Sequence, residues 1–388
     1  MENRQESMRT EAEQGTARAV LHIDLDALAR NYRRLSNLAR CEVSAVVKRD
    51  AYGLGLEAVS TTLAAAGCRA FWVAGVEEGE RLRACLPSDS RIFVMDGLFG
   101  HAPERFAQAG LVPVIDQPEE LELCAGAARG NAAPFPLALN LDTGLSRAGM
   151  DEAAFRQLAQ NSAFLENVSL ELVMTMLSDF EQPANPVNAR QLARLKALAD
   201  LLPVVPLSVA TSSFLYHDAG WHLDLARVGS ALYGVRSAAL PDYNCEPVIS
   251  VEAPVLAVRE LEAGSAIGYG GRRLERAKRA ATLGLGYADG LPERFTQTCQ
   301  AYVADRALDF LGSDSMTLST LDISTLPPGR LRRGQAVEIV GPYQDVNAVG
   351  HALGINPNRV LSSFGARAAR RYHPAAPQGD GGAEWISG

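Results

Sequence analysis

The 388-residue chain alternates between short apolar runs and helical stretches over about 200 residues, and this alternation limits the folds open to it. The apolar runs are rich in β-branched residues, as in buried parallel strands. The pattern predicts a parallel α/β barrel, with an open doubly wound sheet as the alternative. The predicted strands are Val43–Val47, Ala70–Ala74, Arg91–Met95, Val112–Ile115, Leu137–Leu141, Leu170–Met174 and Leu207–Val209. The helical stretches include Leu56–Ala66, Val76–Cys85, Pro118–Ala128, Glu152–Gln160 and Ala189–Leu202.

The pattern changes after about Tyr243, where strand-like runs are joined by Gly/Pro turns and helical periodicity is scarce. This part of the chain is typical of a mostly antiparallel β domain. Its predicted strands are Val248–Val258, Ala281–Leu285, Ala301–Val303, Met316–Ile323 and Ala336–Val340.

These two patterns divide the chain into four segments. We predict a flexible tail at 1–18, an α/β barrel domain at 19–243, a β-rich domain at 244–373 and a disordered tail at 374–388. A short strand at Val20–Ile23 falls within the predicted barrel domain, and Asp24 can cap the helix that follows.

Composition argues against several classes of function. The net charge is −8 without a long basic run, so nucleic acid and anionic membranes are poor partners. No apolar stretch is long enough to span a bilayer and the N-terminus lacks an apolar signal core, which predicts a cytoplasmic protein. The six cysteines are scattered without a C-x-x-C pair, so they predict isolated thiols and no metal site.

Lys48 ends the run Val43–Val47 and is the strongest candidate for chemistry in the barrel domain. A lysine at the carboxyl end of a parallel strand lies at the edge where active sites are placed. Tyr52, Gly53 and Gly55 follow at close spacing, and the glycines permit a close backbone approach. A lone lysine would more simply be a solvated strand end.

The stretch Val46-Val47-Lys48-Arg49-Asp50-Ala51-Tyr52-Gly53-Leu54-Gly55 resembles the cofactor-lysine motif of alanine racemases, V-V-K-A-N-A-Y-G-H-G. The resemblance recurs in order from about His22 to Tyr372. It implies a (β/α)8 TIM-like barrel followed by a mostly antiparallel β domain. It also implies pyridoxal 5'-phosphate as cofactor, held as a Schiff base on Lys48, whose amine then acts as a base on one face of the substrate.

The resemblance assigns further cofactor-binding residues in the barrel. Tyr52, Ser212 and Gly229 match the phosphate-binding positions. Arg227 matches the arginine facing the pyridine nitrogen; because arginine stays charged, that nitrogen should stay unprotonated, which favours proton return over transamination. A surface salt bridge is the alternative for Arg227. Arg147, in Asp142-Thr143-Gly144-Leu145-Ser146-Arg147, would contact the cofactor ring oxygen and orient the substrate carboxylate.

The resemblance also places site residues in the β-rich domain. Tyr269, in Ile267-Gly268-Tyr269-Gly270-Gly271, matches the second catalytic base, which a racemase needs on the face opposite Lys48. A free tyrosine has a pKa of about 10, so its site would have to lower that pKa. A packed hairpin aromatic is the alternative. Tyr287 matches a residue near the substrate entrance, and the backbone N–H of Met316 would receive the substrate carboxylate. In this family the tyrosine enters the partner subunit's site, which implies a homodimer with shared sites.

The chain departs from the family pattern on the substrate side. Met176 replaces a histidine that links the tyrosine to the arginine, and Thr317 replaces an aspartate. Ala366 stands where some relatives place another phosphate tyrosine, beside Arg367 of the C-terminal arginine motif. Asn140 replaces a lysine that is sometimes carbamylated, which leaves open whether an anion such as chloride takes its place.

The sequence therefore predicts a pyridoxal-phosphate-dependent amino-acid racemase acting on alanine or another small amino acid. Two alternatives stay open. One is another reaction on the same cofactor, such as decarboxylation or aldol cleavage, which would not need Tyr269 as a second base. The other is a non-catalytic cofactor-binding protein, although such proteins usually lack a second domain.

Overall fold

A computed structural model describes residues 18–129, 133–160, 165–236, 244–365 and 367–373. Apart from Arg18, the predicted tails lie outside the described residues. The chain forms two compact units. The barrel unit comprises the described residues of Leu28–Pro247 and Ile355–Ala366, and the sheet unit comprises the described residues up to Ala27, Val248–Gly354 and the described residues from Arg367 onward.

Eight parallel strands form the sheet of the barrel unit, and each strand is hydrogen-bonded to the next one in the spatial order. A parallel bridge between Thr211 and Arg227 brings the two ends of this order together, so the sheet is a nearly closed barrel. In spatial order the strands are Leu207–Ser208, Val168–Met174, Phe135–Asn140, Val112–Ile115, Arg91–Val94, Ala70–Val73, Glu42–Val46 and Leu225–Val228.

Large apolar side chains fill the barrel interior. The rings of Trp72 and Phe93 stack with centroids 4.2 Å apart. Burying such side chains on short strands is what makes these apolar runs stable as a parallel sheet. The buried cluster consists of Ala70, Trp72, Phe93, Val112, Val114, Ala138, Leu172, Met174 and Leu225.

Helices connect the barrel strands, and several start at proline, whose fixed φ suits the first helical turn. The helix at Pro186–Ala199 is also capped by Asn185, whose side chain accepts the N–H of Val187 at 3.1 Å. Pro103–Ala109 was not predicted, since it is only seven residues long. The α-helices that lie wholly or mostly in this unit are Leu25–Leu38, Leu56–Ala65, Val76–Cys85, Pro103–Ala109, Pro118–Ala128, Glu152–Gln160, Pro186–Ala199 and Pro357–Gly365.

The sheet unit is mostly antiparallel. Ile249–Leu261 is its longest strand and pairs antiparallel with three others, Val20–Asp24, Lys278–Leu283 and Ala336–Val340. Only Val20–Asp24 and Ala369–His373 pair in parallel among the named strands of this unit that the structure describes. The remaining strands are Ala266–Ile267, Arg272–Arg273, Lys278–Leu283, Ala301–Val303, Arg306–Leu308, Ser319–Asp322 and Ala336–Val340, with helices at Phe295–Thr298 and Val346–Leu353.

Two elements lie in a different unit from the one predicted for them. Val20–Asp24 lies in the antiparallel sheet, where it pairs with Ile249–Leu261 and Ala369–His373, and not in the barrel. Pro357–Gly365, predicted as part of the β-rich domain, is a helix grouped with the barrel unit. A short apolar run suits either kind of sheet, so only its distant pairing partners decide where it lies.

Within the described part of the chain, every helix is too short or too polar to cross a lipid bilayer. All six cysteines are free thiols.

Candidate active site

Lys48 lies at the carboxyl end of a barrel strand, in the turn after Glu42–Val46. Burial is the main cause that lowers the pKa of Lys48 below that of a free lysine, and the positive charge of Arg147 lowers it further. The carboxylate of Asp96 partly opposes these effects, and Arg49 adds to them. A lower pKa increases the share of neutral amine, which is the form that attacks an aldehyde.

The four residues after Lys48 form a left-handed turn, which is rare for residues with a side chain. Arg49 to Tyr52 have φ between 53° and 59°. Each such residue costs about 1–2 kcal/mol, so neighbouring groups must hold the turn. The carboxylate of Glu78 accepts the N–H of Asp50 at 2.9 Å, and the Asp50 carboxylate accepts the N–H of Leu56 at 3.0 Å. These bonds fix the position of Tyr52 relative to Lys48.

Tyr52, Ser212 and Gly229 meet in one corner of the barrel unit. The Ser212 hydroxyl oxygen accepts the N–H of Gly229 at 3.2 Å and that of Ala231 at 3.4 Å. A Cβ on Gly229 would lie only 2.5 Å from the Tyr52 hydroxyl oxygen. Burial raises the pKa of Tyr52 to about 12, so its hydroxyl stays protonated as a donor. Two backbone N–H groups and two hydroxyls converge here, a donor set suited to a phosphate group.

Arg227 is a buried cation that is only 4% exposed, so the alternative of a surface salt bridge is wrong. Its Nη1 donates to the Ser208 hydroxyl at 2.7 Å and its Nη2 to the Thr175 carbonyl at 2.6 Å. The guanidinium lies 5.7 Å from the ring centroid of Trp72. Burial lowers the pKa of Arg227 to about 10, which still leaves it charged at neutral pH.

Arg147 is exposed at the end of a loop organised by Asp142. The Asp142 carboxylate accepts the N–H groups of Gly144, Leu145 and Ser146 at 2.9, 3.0 and 3.1 Å. Burial raises the pKa of Asp142, but these three bonds outweigh it and the pKa is lowered overall. The positive charge of Arg147 lowers the pKa of the Lys48 amine, so these two predicted residues interact electrostatically.

The sheet unit contains Tyr269, Tyr287 and Met316, which are 80%, 53% and 58% exposed. Tyr269 lies in the turn of the hairpin formed by Ala266–Ile267 and Arg272–Arg273. Tyr287 and Met316 come close because the N–H of Tyr287 donates to the Ser315 carbonyl at 3.2 Å. Gly286 packs against the same segment, because a Cβ on it would lie only 2.2 Å from the Ser315 carbonyl oxygen.

Both parts of the chain match domain models of a single family. Residues 23–237 match the model described as alanine racemase, N-terminal domain, and residues 248–372 match the alanine racemase C-terminal domain. The chain belongs to the alanine racemase family. The family predicted from the Lys48 motif is therefore confirmed.

Individual alanine racemases are similar over nearly the whole chain. The enzyme of Brucella abortus is 35% identical over 371 residues, covering 92% of this chain and 94% of that protein. The catabolic alanine racemase of Mesorhizobium japonicum is 38% identical over 363 residues, with the same two coverages. The crystal structure of alanine racemase from Bartonella henselae, with covalently bound pyridoxal phosphate, matches with a TM-score of 0.87 at 33% identity, covering 92% of this chain and 100% of that one. This match confirms the predicted barrel followed by a mostly antiparallel β domain.

Asn140 departs from the alanine racemase pattern, and the structure shows what surrounds its amide. Asn140 is 8% exposed, and its Nδ2 donates to the Asp116 carboxylate at 2.8 Å. Its Oδ1 is buried and has no hydrogen-bond partner among the described residues. Burial raises the pKa of Asp116, and the bond from Asn140 and the charge of Arg147 lower it in part. The Asp116 carboxylate thus lies beside Asn140, and whether an anion binds there as well stays a prediction.

The other departures from the family pattern lie at different levels of burial. Met176 is half-buried, and its backbone carbonyl accepts from Gln191 Nε2 at 3.1 Å. Thr317 is exposed beside Met316. Ala366 lies outside the described residues.

Some residues around the site were not predicted from the sequence. Ser208 and Trp72 contact Arg227, and Ser44 accepts the indole N–H of Trp72 at 2.8 Å. Glu78 holds the turn after Lys48. One signal could have pointed to the two serines: each interrupts a buried apolar strand, and a buried hydroxyl there must find a hydrogen-bond partner.

Proposed function

We propose that this chain is a pyridoxal-phosphate-dependent alanine racemase that works with Lys48 and Tyr269 as its two bases. One observation carries the proposal: a lysine with a lowered pKa lies four residues from Tyr52, which meets Ser212 and Gly229 in a corner of hydrogen-bond donors. An aldehyde cofactor with a phosphate group requires this combination of neutral amine and anion-binding donors. Family membership supports the same function and does not favour the two alternatives.

The barrel residues fit pyridoxal 5'-phosphate and divide its binding among them. Lys48 holds the cofactor and later moves a proton on one face of the substrate α-carbon. Tyr52, Ser212 and the backbone of Gly229 hold the phosphate. Arg227 stays charged, and a pyridine nitrogen bound beside it would have no reason to take up a proton. The bound cofactor supplies a sink for the electrons of the substrate's Cα–H bond.

Tyr269 is proposed as the base on the opposite face, contributed by a second copy of the chain. Its 80% exposure and that of Met316 and Tyr287 are compatible with coverage by a partner subunit. Two-base racemisation needs acid/base groups on both sides of the α-carbon, which one lysine cannot supply. The proposed assembly is a homodimer whose two sites each use residues from both subunits.

Mixing two inactive variants tests the shared site. Lys48→Ala and Tyr269→Ala, co-refolded in equal amounts, should recover about a quarter of wild-type activity, because about half of the dimers are hybrids with one intact site each. Each variant alone should stay inactive in at least one direction of reaction, and Tyr269→Ala should still bind the cofactor. No recovery in verified hybrid dimers would place both bases in the same chain.

The proposed substrate is alanine, the substrate in the names of the relatives. Arg147 and the Met316 backbone are proposed to receive its carboxylate, and Tyr287 to line the route to the site. Incubating the cofactor-loaded protein with single-enantiomer amino acids in deuterated water tests this choice. Alanine should lose chirality and gain α-deuterium faster than other small amino acids. Amine or aldehyde products would instead indicate decarboxylation or cleavage, and no reaction would indicate a binding protein.

We further propose a cytoplasmic location, as expected from the sequence. The finding that no described helix could span a membrane is compatible with it. Cell fractionation with an antibody to the chain would test it.

A further inference from the structure

Arg227 is held in the barrel without a negative partner. It is 4% exposed, and among the residues that the structure describes no carboxylate forms an ion pair with it. A buried charge is costly unless hydrogen bonds compensate for lost water. Its compensation must therefore come from neutral groups, and the identity of those groups decides where the guanidinium points.

Three hydrogen bonds define the orientation of the guanidinium. Nη1 donates to both the hydroxyl and the carbonyl of Ser208, at 2.7 and 3.0 Å, and Nη2 donates to the carbonyl of Thr175 at 2.6 Å. The ring of Trp72 covers one face of the plane at 5.7 Å. A guanidinium has five N–H groups in a rigid fork. The N–H groups that remain are aimed by these contacts and are available to an acceptor in the site.

Ser208 provides the one side-chain acceptor in this set. Ser208 is fully buried, and its hydroxyl donates to the Leu225 carbonyl at 2.6 Å. Because the hydroxyl hydrogen is used there, the oxygen lone pairs point to Arg227 Nη1. Met176, which takes the place of the family's histidine, has no side-chain group that accepts a hydrogen bond strongly.

We propose that Ser208 is a positioning residue for the reaction, whose hydroxyl fixes the Arg227 guanidinium in the orientation that faces the cofactor's pyridine nitrogen. This inference rests on the proposed function. In this chain the orientation of the arginine is therefore set by the barrel strand Leu207–Ser208 and does not need a histidine at position 176. Loosening that orientation lets the pyridine nitrogen gain a proton, which favours transfer of the amino group to the cofactor over return of the proton.

Ser208→Ala removes the side-chain acceptor, and Ser44→Ala is the matched control. Ser44 is equally buried, donates to the Ala226 carbonyl at 2.6 Å and accepts one N–H, from Trp72, so both variants lose one donated and one accepted hydrogen bond. Ser44 makes no hydrogen bond to the Arg227 guanidinium, and it is linked to that group only through Trp72, whose ring is also held by stacking on Phe93 with centroids 4.2 Å apart. Comparable losses of stability are therefore expected, and only Ser208→Ala should change the electronic state of the cofactor.

Three measurements separate positioning from a structural role. For Ser208→Ala we expect kcat for alanine to fall about tenfold or more while KM changes less than about twofold. The absorbance spectrum of the bound cofactor should titrate with pH in a range where the wild type and Ser44→Ala do not. Turnover should release more pyruvate, as the alanine amino group passes to the cofactor and leaves it in its amine form. Ser208→Thr, which keeps the hydroxyl, should restore the wild-type spectrum.

Each outcome bears on the proposal. If Ser208→Ala matches Ser44→Ala in spectrum, pyruvate release and the ratio of kcat to KM, Ser208 is only structural and the proposal is overturned. If Ser208→Ala does not fold, Ser208→Cys keeps the volume with a weak acceptor, and a wild-type spectrum in that variant overturns the proposal equally. A wild-type protein that takes up no cofactor or racemises no amino acid would instead contradict the proposed function itself.

Discussion

Gly229 is the position at which one added methyl group should most directly disturb cofactor binding. A Cβ there would lie 2.5 Å from the Tyr52 hydroxyl oxygen, about 1 Å inside ordinary contact. Tyr52 has little room to move, since its ring packs against Tyr233 with centroids 4.6 Å apart. Overpacking of this kind costs about 1–3 kcal/mol, so Gly229→Ala should raise the Kd for pyridoxal phosphate by about 5- to 150-fold.

A second substitution tests whether the clash is the cause. Tyr52→Phe removes the hydroxyl and should alone cost about 1.5–3 kcal/mol, the usual loss for a hydrogen bond to a charged group. In the double variant the nearest remaining atoms, the Tyr52 ring carbon Cζ and Val46 Cβ, lie 3.4 Å from the new methyl group. Gly229→Ala/Tyr52→Phe should therefore bind about as well as Tyr52→Phe, with a coupling of about 1–3 kcal/mol.

Absorbance titration of the apo protein with pyridoxal phosphate measures all four affinities, and urea unfolding of the apo protein gives a second readout. Gly126→Ala is the control, because Gly126 lies in the helix Pro118–Ala128 and a Cβ there meets nothing within 4 Å. It should leave Kd unchanged and slightly stabilise the helix. If the losses of Gly229→Ala and Tyr52→Phe simply add, the methyl group does not contact that hydroxyl and the geometry proposed for the phosphate corner is incorrect.

Three further predictions concern the surroundings of Lys48. Gly365→Ala would place a Cβ 2.7 Å from the carbonyl group of Gly53. Because the backbone there cannot rotate away as a side chain could, we expect the free energy of unfolding in urea to fall by about 1–3 kcal/mol. An unchanged unfolding midpoint would contradict this contact. Because the pKa of Lys48 is lowered in the folded protein, the apo protein should gain stability as pH rises from that lowered pKa to about 10.4, the pKa of a free lysine. Lys48→Met should abolish this gain. The same pH dependence of stability in both proteins would contradict the lowered pKa. Since Asp116 already places a carboxylate at Asn140, activity should not depend on chloride at constant ionic strength, and activation that saturates with chloride would reveal an anion site.

The sequence was sufficient for features that depend on local pattern. The helices Val76–Cys85, Pro118–Ala128 and Glu152–Gln160 have the predicted bounds, because each starts and ends at a clear change of periodicity. The fold class, the family and its pyridoxal-phosphate racemase function followed from the ordered motifs around residues such as Lys48, and they are confirmed. The roles of the individual site residues stay predictions.

The sequence was insufficient where distant parts of the chain decide the outcome. The sheet that receives Val20–Asp24 depends on partners at the other end of the chain, which no local pattern reveals. Likewise, Ser208 lies 19 positions from Arg227, and only the closed barrel brings the hydroxyl to the guanidinium. The left-handed turn after Lys48 contains no glycine, so propensity gave no reason to expect it.

The pairing of Val20–Asp24 has a consequence for biosynthesis. The residues of this strand leave the ribosome before almost all other described residues. The two strands that pair with it, however, are synthesised roughly 230 residues later or more. It must therefore remain without its hydrogen-bonded neighbours during most of translation, when exposed strand edges favour aggregation. We expect the yield of folded protein to depend on chaperones that shield this segment until synthesis ends.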